Sequence, residues 1–136
     1  MKDKQYLLDT NILIEFLDGN TSVIKHILQA GIDRCCMSVV SLHELYFGAY
    51  YKEEYFEREI KRINKLLERF EVLPLPEKAD GYGQIKMVLR KKGRIVDEFD
   101  MIIGGTALAA GLTIVTDNVK HFELMPDIKI ENWVER

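Results

Sequence analysis

Short apolar runs alternate along this chain with longer stretches whose apolar residues recur every three or four positions, the spacing of a helix with one buried face. Tyr6-Leu7-Leu8 is the first run and ends at Asp9; Ile12, Leu13, Phe16 and Leu17 follow at helical spacing. A second helix is predicted from Thr21 or Ser22 to near Gly31, where glycine stops it. Residues 35–40 read as a second strand, and Ser41 as the start of a helix carrying Leu42, Leu45, Tyr46 and Ala49. A long charged helix comes next, with Phe56, Ile60, Ile63, Leu67 and Phe70 along its apolar stripe. Residues 72–75 form a brief apolar run ended by Pro76.

The following helix carries Ala79, Tyr82, Ile85 and Leu89 and ends near Gly93. Gly81 and Gly83 work against it, each costing roughly 1 kcal/mol relative to alanine inside a helix. Asp97 is positioned to cap another helix, running through Ile102, Ile103, Ala107 and Leu108 to Gly111. Residues 112–116 read as a buried strand and residues 128–130 as a last short one near Trp133. Strands separated by helices argue for a parallel sheet, because parallel neighbours need crossover connections. The predicted class is an α/β sandwich.

Composition narrows this picture. The 136 residues amount to one ordinary domain, 1–136, with no repeat and no linker-like stretch. Hydrophobic residues make up 47% and charged residues 30%, which excludes a disordered chain. The net charge of −3 carries no overall basic signature of a nucleic-acid binder, yet a site built of carboxylates is itself acidic until cations occupy it. Cys35 and Cys36, the only cysteines, are neighbours on a predicted strand and point to opposite faces, so they do not pair. That pattern fits a reducing compartment. No apolar run reaches membrane-spanning length, and the expected location is the cytoplasm.

The acids change the picture most. Asp9 and Asp117 each follow a predicted strand directly, while Glu44 is expected in the first turn of the helix after the second strand and Asp100 in the first turn of the helix beginning near Asp97. In a parallel sheet with right-handed crossovers these points share the carboxyl edge of the strands, so four distant residues are expected to converge. Converging carboxylates repel, and a divalent cation removes the conflict; all-oxygen ligands suit Mg2+ or Mn2+. The anionic substrate natural to such a site is a phosphate ester, which points to metal-assisted phosphodiester hydrolysis.

Three of the four acids also have plainer explanations. Ser41-Leu42-His43-Glu44 has the form of a capping box, Asp97 and Asp100 would complement a helix dipole, and Asp117-Asn118 would serve as a turn. Asp9 alone has no evident capping or pairing need. His26 and His43 lack any spacing that suggests a zinc site and read as structural.

Leu7-Leu8-Asp9-Thr10-Asn11 resembles the opening motif of PIN domains, and Val39-Val40-Ser41-Leu42-His43-Glu44-Leu45 their glutamate-bearing second motif. Phe99-Asp100-Met101-Ile102-Ile103-Gly104-Gly105-Thr106-Ala107 resembles the third, and Leu112-Thr113-Ile114-Val115-Thr116-Asp117-Asn118 the fourth. The tail, with His121-Phe122 and Asn132-Trp133, is similar to the ending of VapC-type toxins within that superfamily. The resemblance covers nearly the whole chain. It implies a three-layer α/β/α sandwich with a central parallel sheet of four or five strands, a Mg2+- or Mn2+-dependent endoribonuclease, a homodimer, and a VapB-type antitoxin that blocks the site.

Carried over residue by residue, Asp9 and Asp100 are the principal metal ligands and Glu44 completes the first site or activates the water. Asp117 is the fourth acid. Asn11, Thr116 and Asn118 orient the carboxylates. Two departures stand out: Gly104-Gly105 occupies a place where relatives often have paired alanines, and the fourth acid often falls two residues after the threonine, where this chain has Asn118. His121 stands where some relatives carry another acid.

Arg90, Lys91, Lys92 and Arg94 lie just before the Asp97/Asp100 helix, either to hold an RNA backbone or as a solvated helix end. Lys61, Lys65 and Arg69 read as a solvated face, and Tyr46, Phe47 and Tyr50 as a dimer or antitoxin surface. An aspartyl-phosphate phosphotransferase is disfavoured, since it needs an acid where this chain has Asn11. The expected function is a VapC-like endoribonuclease. A PIN nuclease of RNA processing or quality control, or a degenerate binding module, is the alternative.

Overall fold

The computed structural model describes residues 3–136. β1 (Tyr6–Leu8) leads into α1 (Thr10–Leu17) and α2 (Thr21–Ala30), and a 3-10 turn, Ile32–Arg34, precedes β2 (Cys35–Ser38). α3 (Val39–Tyr51) and α4 (Phe56–Arg69) lead to β3 (Glu71–Leu73), then α5 (Asp80–Lys91) and α6 (Glu98–Ala110) to β4 (Thr113–Val115). The short α7 (Val119–Phe122) and β5 (Lys129–Glu131) complete the chain. All strands are parallel, in the order β3-β2-β1-β4-β5. The expected three-layer sandwich with a five-stranded parallel sheet is what the chain forms.

The strands are short, but alternation along them sends side chains into two separate cores. Leu7, Cys36 and Ile114 face one layer with Ile85 and Leu89 of α5 and Ile103 and Ala107 of α6. Leu8, Cys35, Met37 and Val115 face the other with Ile12 and Leu13 of α1, Ile27 of α2 and Leu66 of α4. The adjacent cysteines thus lie on opposite sides of the sheet, both free, with burial pushing each thiol up to about 12.

Three local expectations shift. The second strand stops at Ser38, whose hydroxyl accepts from the Val40 N–H at 3.0 Å and caps α3, so the helix starts at Val39 rather than Ser41. Ser41 is therefore buried inside the helix and Glu44 lies beyond its first turn, which removes the capping-box explanation. On α4 the buried positions are Ile63 and Leu66, whereas Leu67 is exposed. α5 forms despite its glycines. A Cβ at Gly81 would stand 3.1 Å from Gly105 Cα, so the missing side chain there lets α5 and α6 approach backbone to backbone. No helix among the described residues is long and apolar enough to cross a membrane.

Candidate active site

The strand order reverses between β1 and β4, because the chain builds outward from β1 to β3 on one side and then returns to β4 on the other. Such a reversal opens a crevice at the carboxyl ends of the strands. Asp9 follows β1 at this point and is 3% exposed. It also caps α1: Oδ1 accepts the Thr10 N–H at 2.8 Å, so the capping need not evident in the pattern exists after all. Oδ2 accepts the Thr116 hydroxyl at 2.8 Å and the Asn11 amide at 3.2 Å. Asn11 in turn accepts the Asp117 N–H at 3.1 Å, and Thr116 Oγ1 accepts the Asn118 N–H at 2.9 Å. Asn11 and Thr116 therefore fasten the β1 and β4 ends around one carboxylate.

Glu44 comes from α3. Its Oε1 accepts the Thr10 hydroxyl at 2.7 Å, and the buried Ser41 Oγ stands 2.8 Å from the same hydroxyl. Asp100 comes from the first turn of α6, where Asp97 caps the helix by accepting the Phe99 N–H. The Asp100 side chain is 14% exposed, and its Oδ2 stands 2.6 Å from His121 Nδ1.

Electrostatics ties these three acids together. Burial is the main force raising the Asp9 carboxyl above its ordinary value; hydrogen bonds from Thr116 and Thr10 pull it back, and the Asp100 charge adds to the rise. Glu44 is raised first by burial and then by the charges of Asp9, Asp100 and Asp97, against the Thr10 bond. Asp100 is raised by burial, offset in part by His121. The Asp100 charge thus acts on both Asp9 and Glu44, and the Asp9 charge on Glu44, which places the three carboxylates within electrostatic reach of one another.

Asp117 stands apart. Arg136 donates to its Oδ1 at 2.8 Å and its Oδ2 at 2.6 Å, and Asn132 donates to Oδ1 at 3.1 Å. The guanidinium is the main cause that lowers this carboxyl to about 2. The sequence thus brings three of its four acids together and leaves the fourth in an ion pair at the tail. Pattern reasoning missed Thr10 and Ser41 beside Glu44, and the Arg136 partner of Asp117. Thr10 sits inside the first motif and so was findable, whereas a long-range partner such as Arg136 leaves no local signal.

Among the described residues, no three His, Cys, Asp or Glu side chains stand close enough to enclose a metal unaided. Magnesium rarely asks for that, taking one or two carboxylates, several waters and substrate phosphate. The hard, all-oxygen donor set of Asp9, Glu44 and Asp100 fits such an ion.

The remaining singled-out residues lie outside the cluster. Arg90, Lys91, Lys92 and Arg94 are exposed at the end of α5 and in the connection toward α6. Lys61, Lys65 and Arg69 form the expected solvated face. His26 bonds the Ser22 carbonyl and stacks on Trp133, and His43 bonds the Val39 carbonyl, both structural. Phe47, Tyr50 and Tyr51 are 70%, 67% and 79% exposed, a run of aromatic surface on α3, the helix that carries Glu44.

Comparison with known proteins identifies the family. A PIN domain matches residues 6–126. Ribonuclease VapC2 of Haemophilus influenzae is 36% identical over 96% of this chain and 98% of its own length. The tRNA(fMet)-specific endonuclease VapC of Salmonella typhimurium is 35% identical over 95% of this chain and 98% of that protein. The crystal structure of DNA-bound VapBC from Salmonella typhimurium contains a chain that superposes with a TM-score of 0.87 at 33% identity, covering 96% of this chain and 98% of that one. Matched along nearly all of its length, and with the buried acids at the switch point of its sheet, this chain belongs to the PIN-domain family, in its VapC-type branch.

Proposed function

We propose that this VapC-type PIN domain is an endoribonuclease that hydrolyses RNA phosphodiester bonds with Mg2+ or Mn2+, acting as the toxin of a VapBC-type pair. The observation that carries the proposal is the placement of Asp9 after β1, Glu44 on α3 and Asp100 at the start of α6, with Asp9 and Glu44 each raised by burial and by the Asp100 charge. Relatives named as ribonucleases, at 35–36% identity over nearly full length, support RNA as the substrate.

Asp9 and Asp100 would hold the cation, with Glu44 beside them. A bound divalent ion supplies charge to the phosphoryl oxygens and acidifies a water. The chain's own groups do the rest. Thr116 and Asn11 hold Asp9 Oδ2, and the Thr10 hydroxyl holds Glu44 Oε1, leaving Glu44 Oε2 to take a proton from the attacking water. In-line attack with departure of the 3′ oxygen leaves a 5′-phosphate and a 3′-hydroxyl, and no step needs the 2′-hydroxyl. Arg90, Lys91, Lys92 and Arg94 would hold the RNA backbone. Phe47, Tyr50 and Tyr51 offer an antitoxin a large aromatic contact next to the acids.

The test is cleavage of a mixed cellular RNA pool by purified protein with Mg2+ or Mn2+, beside Asp9→Asn and Asp100→Asn and with excess chelator. Discrete fragments from the parent alone, lost on chelation, are expected. Cutting that survives the chelator, or equal behaviour of all three proteins, would remove the metal-nuclease assignment.

A further inference from the structure

One segment, 116–121, touches both buried aspartates. At its start the Thr116 hydroxyl donates to Asp9 Oδ2 at 2.8 Å, and at its end His121 Nδ1 meets Asp100 Oδ2 at 2.6 Å. The segment is internally braced: the Asn118 N–H bonds Thr116 Oγ1 at 2.9 Å, and the His121 N–H bonds the Asn118 carbonyl at 3.0 Å. Phe122, wholly buried in the core beneath α6, pins its far end.

His121 itself is half exposed, so its ring contributes little to packing, and among the described residues its side-chain partner is Asp100. An ionised carboxylate only accepts, so a bond to Asp100 requires the proton on Nδ1. That leaves one carboxylate oxygen of Asp100 outside the pair.

We infer that His121 is a positioning residue for Asp100. By holding Oδ2 it turns Oδ1 toward the crevice, while Thr116 fixes Asp9 Oδ2 on the other side, and the braced segment between them sets the separation of the two carboxylates. This rests on the divalent-cation reading of the site and adds to it a residue from outside the acid set. Partners of this kind govern how well a carboxylate is aimed at an ion, and losing one typically costs 10–100-fold in metal affinity.

The test is Mn2+ affinity, read from the EPR signal of free Mn2+ during titration, for the parent, His121→Leu and His121→Asn. Asparagine keeps an N–H donor near the position of Nδ1, whereas leucine has none. Thermal melting without cation checks that each variant is folded. The expected result is a loss of about 10–100-fold in His121→Leu, most of it recovered in His121→Asn. If both variants bind as the parent does while Asp100→Asn loses binding, the inference falls and the cation site stands. Equal weakening of both variants also overturns it, because the hydrogen bond is then not what matters. Failure of the parent itself to bind Mn2+ would take down the cation reading, and this inference with it.

Discussion

Arg136 grips Asp117 through two contacts, 2.8 Å to Oδ1 and 2.6 Å to Oδ2, so the first acid after β4 is neutralised by the tail of the chain. A bidentate guanidinium–carboxylate pair of this kind satisfies both oxygens. What remains at the switch point is a three-carboxylate cluster, flanked by hydroxyl donors.

Asp117→Asn is therefore expected to leave Mn2+ affinity close to that of the parent. Asp9→Asn and Asp100→Asn should lose more than about a hundredfold, since even their hydrogen-bond partners are worth 10–100-fold. Arg136→Ala should let the Asp117 carboxyl rise from about 2 toward the usual aspartate value of about 3.9, seen by NMR titration of its carboxyl carbon. A large loss of affinity in Asp117→Asn would mean that the ion pair opens and the acid joins the site.

The buried acids give metal-free protein a particular pH dependence. Asp9, Glu44 and Asp100 are all raised above their unfolded values. Over the interval between unfolded and folded values the native state holds protons that the unfolded chain has released, so these groups lower stability as pH rises through it. Asp117 has the opposite sign and loses its contribution only as pH falls toward about 2. Melting temperature without cation should thus decline as pH rises above the ordinary carboxylate range of about 4, and saturating Mn2+ should reverse the decline. Asp9→Asn should make that decline shallower, because one of the three raised carboxyls no longer titrates. A flat profile in scanning calorimetry would show that the acids do not strain the fold.

Glycines on the two packed helices are predicted to differ sharply. A Cβ at Gly105 would lie 2.9 Å from Tyr82 N and 3.3 Å from Tyr82 Cα, both backbone atoms of α5. Gly105→Ala should therefore cost about 1–3 kcal/mol by forcing the helices apart. At Gly83 nothing lies within 4 Å, and Gly83→Ala should stabilise α5 by about 0.5–1 kcal/mol. Urea unfolding of the two variants separates these signs, and destabilisation by both would contradict the packing described.

The layer order, the parallel sheet and the carboxyl-edge location of Asp9, Glu44 and Asp100 were all present in the order of apolar runs and acids along the chain. Periodicity reports which face of an element is buried, and crossover handedness then dictates which ends align. The α3 start was less legible. Ser38 and Ser41 are equally good caps in a string of letters, and Ser38 prevails because β2 ends there and Ser41 is buried next to Thr10. Gly81 and Gly83 looked alike as helix weakeners, yet one meets a backbone and the other meets open space.

The site divides along the same line. That Asp9 would follow β1, and that Glu44 and Asp100 would come from helices reaching the carboxyl edge, is a matter of chain order, so local pattern and topology rules were enough to place these three acids there. Which partner each acid takes is a matter of contacts across 21 residues for His121 and Asp100, 19 for Arg136 and Asp117, and 107 for Thr116 and Asp9. No periodicity encodes such pairs, because side-chain partners are chosen by the folded geometry that brings distant segments within 3 Å. Asp117 and Asp100 are both acids beside predicted element ends; folding alone sends one to an arginine in the tail and the other to a histidine at the crevice.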